Sequence, residues 1–169
     1  MPAVDPADQV LLFISNSRAA QLSGLAGGAA RYPFPVAQMV VQATSDRLAL
    51  AGEHLRAGDH SLLGLRFRSS ISRHYYAMYH AARAIVYGVT TGDDHERHSV
   101  LPRNLPAAMV NQAQRESELT SARLLRNEAD YDPYPASESA WEQDARTLSV
   151  TAADFVQECE DFALANGLI

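Results

Sequence analysis

The segment Ser69-Ser70-Ile71-Ser72-Arg73-His74-Tyr75-Tyr76-Ala77-Met78-Tyr79-His80-Ala81-Ala82-Arg83-Ala84 constrains the fold of this chain more than any other stretch. No proline or glycine interrupts it. At roughly 100° per residue, Phe67, Ile71, Tyr75, Met78, Ala82 and Ile85 share one stripe, while Arg66, Arg73, Tyr76, His80 and Arg83 share the opposite one. The period predicts a long amphipathic helix whose apolar side enters a core. A face that is only solvated is usually filled with Glu and Lys. This one presents forked donors, aromatic rings and titratable imidazoles, which suit phosphates and bases or a polar subunit interface. Tyr75 reads as core and His74 as a satisfied core or boundary histidine. Tyr76 points toward the polar stripe, where a ring can either pack or stack on a base.

Periodicity elsewhere predicts more helix and no strand. A first helix spans about 6–25, with Val10, Leu11, Phe13 and Ile14, and stops at Gly27-Gly28. Two prolines break the chain at 30–35. A second helix covers about 36–57 and ends at the turn Gly58-Asp59-His60. The third, about 61–89, carries the opening motif. A polar loop at 90–99 is followed by a short helix near 105–114 and a fifth helix over about 116–131. The last begins at Ser137 or Ser139, where Ser139 with Glu142 fits a capping box. In it Trp141, Ala145, Leu148, Ala152, Phe155, Cys159 and Phe162 recur four and three apart, a seam for packing on neighbouring helices. The expected architecture is all-α, an antiparallel up-and-down bundle of five to six helices. Residues 1–35 form an N-terminal helical extension and linker, and residues 36–169 form the bundle.

Charge and cysteine content narrow the function classes. A net charge of −6 argues against a protein that coats nucleic acid by bulk attraction, but leaves room for a local basic cleft. All 14 basic residues are Arg, so every cationic contact can be bidentate. Cys159 is the only cysteine, which excludes an internal disulfide and reads as a packed core thiol. No apolar run approaches the ~18 residues of a membrane helix, and the first residues lack the basic segment of a secretory leader. A cytoplasmic protein without membrane association is expected. The loop Asp93-Asp94-His95-Glu96-Arg97-His98 offers two imidazoles beside carboxylates, yet no partner motif elsewhere completes a metal site. Neither a metal nor a cofactor is expected, and His98 reads as a cap for the following segment.

Three pieces taken together resemble the HEPN (higher eukaryotes and prokaryotes nucleotide-binding) domain family, in its small prokaryotic single-domain branch. They are Ser72-Arg73-His74-Tyr75-Tyr76-Ala77-Met78-Tyr79-His80-Ala81-Ala82-Arg83, then His98-Ser99-Val100, then Arg126-Asn127-Glu128-Ala129-Asp130-Tyr131 ahead of a long final helix. The likeness spans about 36–162. It implies a bundle that forms a homodimer with its polar faces meeting in a cleft. It also implies a protein that acts on RNA or binds nucleotides, in a family that includes metal-independent endoribonucleases of toxin and defence systems. The alternative is a non-catalytic dimer that serves as a nucleotide- or protein-binding module, for example as partner of a nucleotidyltransferase antitoxin. The family's signature is an Arg, often followed by a polar residue, then a His four to six residues on. Arg126 and Asn127 match its start, but the His positions hold Tyr131, Asp132 and Pro133, and no His follows His98.

Metal-independent RNA cleavage needs a base for the 2′-OH, an acid for the leaving 5′-oxygen and cations for the phosphorane-like charge. Candidate catalytic residues are Arg126 for charge, Asn127 for orientation, Tyr131 near the vacant His position, and His80 (or His74) if the third and fifth helices pack face to face. A phenol with an ordinary pKa of about 10 is a poor base. Candidate nucleotide- or RNA-binding residues are Arg66, Arg73, Tyr76 and Arg83. Arg126 also stands four residues before Asp130, so an intrahelical ion pair is an equally physical use for it.

Overall fold

The computed structural model describes residues 5–27 and 34–169. It is an all-helical bundle: α1 (Pro6–Ser15), α2 (Ala19–Gly27), α3 (Val36–Leu63), α4 (Phe67–Thr90), a 3-10 turn (Leu101–Asn104), α5 (Gln112–Tyr131), a second 3-10 turn (Glu138–Trp141) and α6 (Glu142–Ala165). The described residues contain no strand. None of their helices is long and apolar enough to cross a membrane. The break expected at 30–35 falls mostly on residues 28–33, outside those described.

Helix α4 is the spine. It packs most extensively on α3, then on α6 and α5. For that reason its burial is wider than one stripe. Ala77, Ala81 and Ala84 are buried alongside the expected Phe67, Ile71, Tyr75, Met78, Ala82 and Ile85. Small side chains there let neighbouring helices approach on several sides. The α6 seam is buried as its spacing predicted from Trp141 to Cys159, with Phe162 half-buried. The Cys159 thiol is held well above its ordinary pKa by burial, as befits an inert packed group.

Several boundaries differ from the sequence expectation. The single helix over 6–25 is two, because Asn16 and Ser17 turn their side chains back onto the carbonyls of Leu12 (2.8 Å) and Phe13 (2.7 Å) and end α1. The short helix at 105–114 is a 3-10 turn at Leu101–Asn104 followed by irregular turns. Leu101, Leu105 and Met109 are buried at a helical spacing, but Pro106, which lacks an N–H, bars a helix running on from Leu101. The capping box at Ser139 does not form: the Ser137 and Ser139 hydroxyls pair with each other at 2.8 Å, and α6 starts at Glu142 without a side-chain cap.

The turn expected at Gly58-Asp59-His60 is helix, since α3 continues to Leu63 and the chain reverses at Gly64–Arg66. Gly58 serves packing. A Cβ there would stand 2.8 Å from three atoms of the His74 ring. That ring is fully buried and fixed between the Ser70 hydroxyl and the Asp59 carboxylate, both at 3.1 Å. His74 is thus the satisfied boundary histidine its position predicted. Gly58→Ala gains the helix propensity of alanine but forces the pinned ring out of place. A net loss of about 1–2 kcal/mol is expected from overpacking, measurable as a lower urea midpoint at unchanged slope.

Residues 5–27 dock on α3 and the end of α4 through a second apolar cluster of Ile14, Leu22, Val36, Val40, Ala43 and Tyr87. The Tyr87 hydroxyl donates to the Ile14 carbonyl at 3.0 Å. The loop after α4 closes this junction. Asp93 N–H donates to the Ser17 carbonyl (2.9 Å), and the Asp94 carboxylate accepts from Ala19 N–H (2.9 Å) at the start of α2. Gly92 makes the approach possible, since a Cβ would lie 2.1 Å from the Ala19 nitrogen.

Candidate functional site

Helix α5 buries Leu119, Ala122 and Ala129 against the bundle, which sets Arg126 on the border of that face. Its side chain is 15% exposed. The guanidinium lies over the rings of Tyr76 (5.1 Å) and Tyr131 (5.5 Å) and 5.9 Å from that of Tyr75. Nη2 donates to the Tyr76 hydroxyl and Nη1 to Asn127 Oδ1 at 3.1 Å. Nε stands 2.8 Å from the Asp130 carboxylate, but its N–H is not directed at that oxygen, so the contact is ionic without a hydrogen bond. The intrahelical pair therefore forms, and it coexists with a cross-helix contact to α4.

The loop after α4 brings a histidine to the same place. Tyr75 and Tyr79, one turn apart, each grip this loop. The Tyr79 hydroxyl donates to the Glu96 carbonyl at 2.6 Å, and the Tyr75 hydroxyl pairs with His98 Nδ1. The His98 ring stacks on Tyr79 with centroids 4.0 Å apart and 11° between planes, and meets Tyr76 edge-on at 6.1 Å. One side of the imidazole is anchored while the residue as a whole is exposed. Partial burial, then the charges of Arg126, Arg83 and Arg123, hold its pKa below the ordinary imidazole value. The lowered pKa favours the neutral ring.

His80 lies beside this cluster, its ring 6.4 Å from that of Tyr76 and 5.2 Å from that of Tyr79. It is half-buried and stacked on His54, with centroids 5.1 Å apart and planes 7° apart. Burial, followed by His54, Arg83 and Arg47, pushes its pKa down to about 4. Its Nδ1 is buried without a partner. An unfolded histidine titrates near 6.5, so between that pH and about 4 the unfolded chain takes up a proton that the folded chain refuses. Stability is complete above the unfolded value and falls as the pH drops through this window, by up to about 3 kcal/mol. His80→Gln is expected to remove most of that acid slope in unfolding measured against pH.

The remaining predicted positions disperse. Arg66 is exposed at the N-cap of α4, and Arg73 is exposed on the His54 side, where its charge depresses that imidazole after burial does. Arg83 faces the α1 side: its Nε donates to Asp93 Oδ1 at 2.8 Å and Nη2 reaches Asn16 Oδ1 at 3.3 Å. Of the expected stripe, Tyr76 and His80 stay ring to ring, Arg66 and Arg73 are exposed, and Arg83 turns to α1. Tyr131 is 71% exposed and contributes its ring to the Arg126 guanidinium.

Sequence reasoning assigned His98 to a cap and missed its place in the cluster. It also read Asp93 only as a loop carboxylate, whereas Asp93 is buried and ion-paired. The family-like piece His98-Ser99-Val100 is the sequence signal that sets His98 apart from His95. Among the described residues no group of three or more His, Cys, Asp or Glu side chains could hold a metal ion. Comparison with protein-family models, with curated proteins and with solved structures gives no match.

Proposed function

We propose that this chain is a HEPN-like protein that cleaves RNA at the Arg126–His98 cluster, in a toxin or defence role. The observation that carries the reading is an exposed, neutral imidazole held in the same aromatic cluster as a cross-helix guanidinium. Neutral His98 takes the proton from the 2′-OH. The 2′-oxygen attacks phosphorus, the 5′-oxygen leaves, and Arg126 carries the charge that develops on the non-bridging oxygens. In-line attack puts the entering and leaving oxygens on opposite sides of phosphorus. One imidazole cannot serve both, so the 5′-oxygen takes its proton from water, and a homodimer that joins two clusters would add the second guanidinium at the same phosphate. Asn127, tied to Arg126, orients the phosphate.

RNA incubated with the purified protein, with and without EDTA, tests this reading. Cleavage is expected to survive chelation and to leave 2′,3′-cyclic phosphate ends. Arg126→Ala is expected to lower the rate about 10²- to 10³-fold, with the helical circular dichroism unchanged. No cleavage at micromolar protein rejects the enzyme.

A second reading, a non-catalytic nucleotide- or partner-binding module, has its own support. Both Nη groups of Arg126 are engaged and Asp130 sits at Nε, so an incoming phosphate must displace a carboxylate that is 28% exposed. Oligonucleotide binding without cleavage, abolished by Arg126→Ala, would select it.

A further inference from the structure

A second cationic centre lies away from Arg126, in a cleft of about 350 Å³ where α1 crosses α3 and α4. Its floor holds Arg47, Arg83 and His80. Arg47 is only 8% exposed, a rare degree of burial for a guanidinium. Both arginines converge on the single buried carboxylate of Asp93. Their other contacts here are neutral: Arg47 donates to the Ser15 carbonyl and Arg83 to Asn16 Oδ1. The carbonyl end of α1 adds a partial negative charge. The two guanidinium groups therefore share one buried carboxylate. Arg47 Nε has no hydrogen-bond partner. A buried guanidinium N–H left without an acceptor is costly until one is supplied.

The rest of the cleft limits which anion fits. Leu11, Leu12 and Leu50 form apolar walls. Leu12 and Leu50 are 58% and 38% exposed, so they offer area that a ligand can cover. Asp8 and Asp46 stand at the cleft as well. Their charges oppose polyanions and dianions more than a single charge. Volumes of this size accommodate small molecules.

We propose that this cleft binds a small monocarboxylate with an apolar body, its acid group on the Arg47–Arg83 pair and its body against Leu11, Leu12 and Leu50. The proposal does not depend on RNA cleavage, because Arg126 and His98 do not line the cleft.

Calorimetric titration with hexanoate tests it, with 1-hexanol and inorganic phosphate as comparison probes. Saturable binding is expected for hexanoate alone. Leu50→Glu sets a like charge at an exposed wall and is expected to weaken binding at least about tenfold, while Asp46→Asn removes an opposing charge and tightens it about two- to fivefold. Both sites are exposed, so folding is retained and thermal unfolding of each variant verifies it. Arg126→Ala leaves hexanoate binding unchanged. Equal binding of hexanol reduces the cleft to an apolar groove and overturns the proposal. So does binding of phosphate in place of hexanoate, hexanoate affinity indifferent to both variants, or no hexanoate binding up to about 10 mM.

Discussion

Asp93→Ala is expected to cost about 3–5 kcal/mol of folding stability, because it strands the buried Arg47 and the half-buried Arg83 without their shared carboxylate. Small domains are stable by about 5–15 kcal/mol in total, so this one change brings the fold near its limit. The cause is local and asymmetric. Removing one partner of a buried ion pair leaves the full desolvation cost of the other. Asp94→Ala, one residue on, is expected to cost only about 1 kcal/mol, because it removes a helix-start acceptor at an exposed position. Urea unfolding of the two variants side by side measures the contrast. Equal, small losses would mean that Arg47 and Arg83 reach solvent when Asp93 is absent.

His98→Gln is expected to lower RNA cleavage about 10²- to 10⁴-fold, the range for loss of a general acid–base group. Gln keeps a polar side chain near Tyr75 but cannot exchange a proton at neutral pH. Stability should change little, since the residue is exposed and its loop is also held by Tyr79 and Asp93. The rate of the unmodified protein should rise with pH through a value below the ordinary imidazole pKa, because burial and nearby arginines favour the neutral ring. His95→Gln, on the same loop, provides the comparison and should leave the rate unaltered. A rate unchanged in His98→Gln would remove the proton-transfer role from this residue.

Periodicity made most of the fold legible. The α4 stripe and the α6 seam were readable because apolar spacing records which side of a helix is covered. Boundaries were less so. Gly58 has the composition of a turn, yet it belongs to a helix because His74, sixteen residues later, needs the room its missing Cβ leaves. Asn16 and Ser17 ended a helix by side-chain hydrogen bonds that no periodicity records. At the candidate site, Arg126 stood out as the start of the family-like signature and Tyr76 as an aromatic ring on the polar stripe of α4, and the structure joins them. The role of His98 was hidden because its position depends on how the loop after α4 folds back over Tyr75 and Tyr79, a tertiary contact that periodicity does not record. The Arg83–Asp93 pair was hidden for a related reason. A run of charged loop residues reads as solvated until a buried arginine draws one of them inside.

The most direct test of the RNA site is its footprint on the imidazoles. Histidine ring signals followed by NMR, as a short oligoribonucleotide is added to the intact protein, report each ring separately. The His98 signal is expected to shift in a saturable way, that of buried His74 to stay fixed, and the response to vanish in Arg126→Ala. Binding or cleavage of the oligonucleotide with His98 unmoved would contradict the assignment of the site.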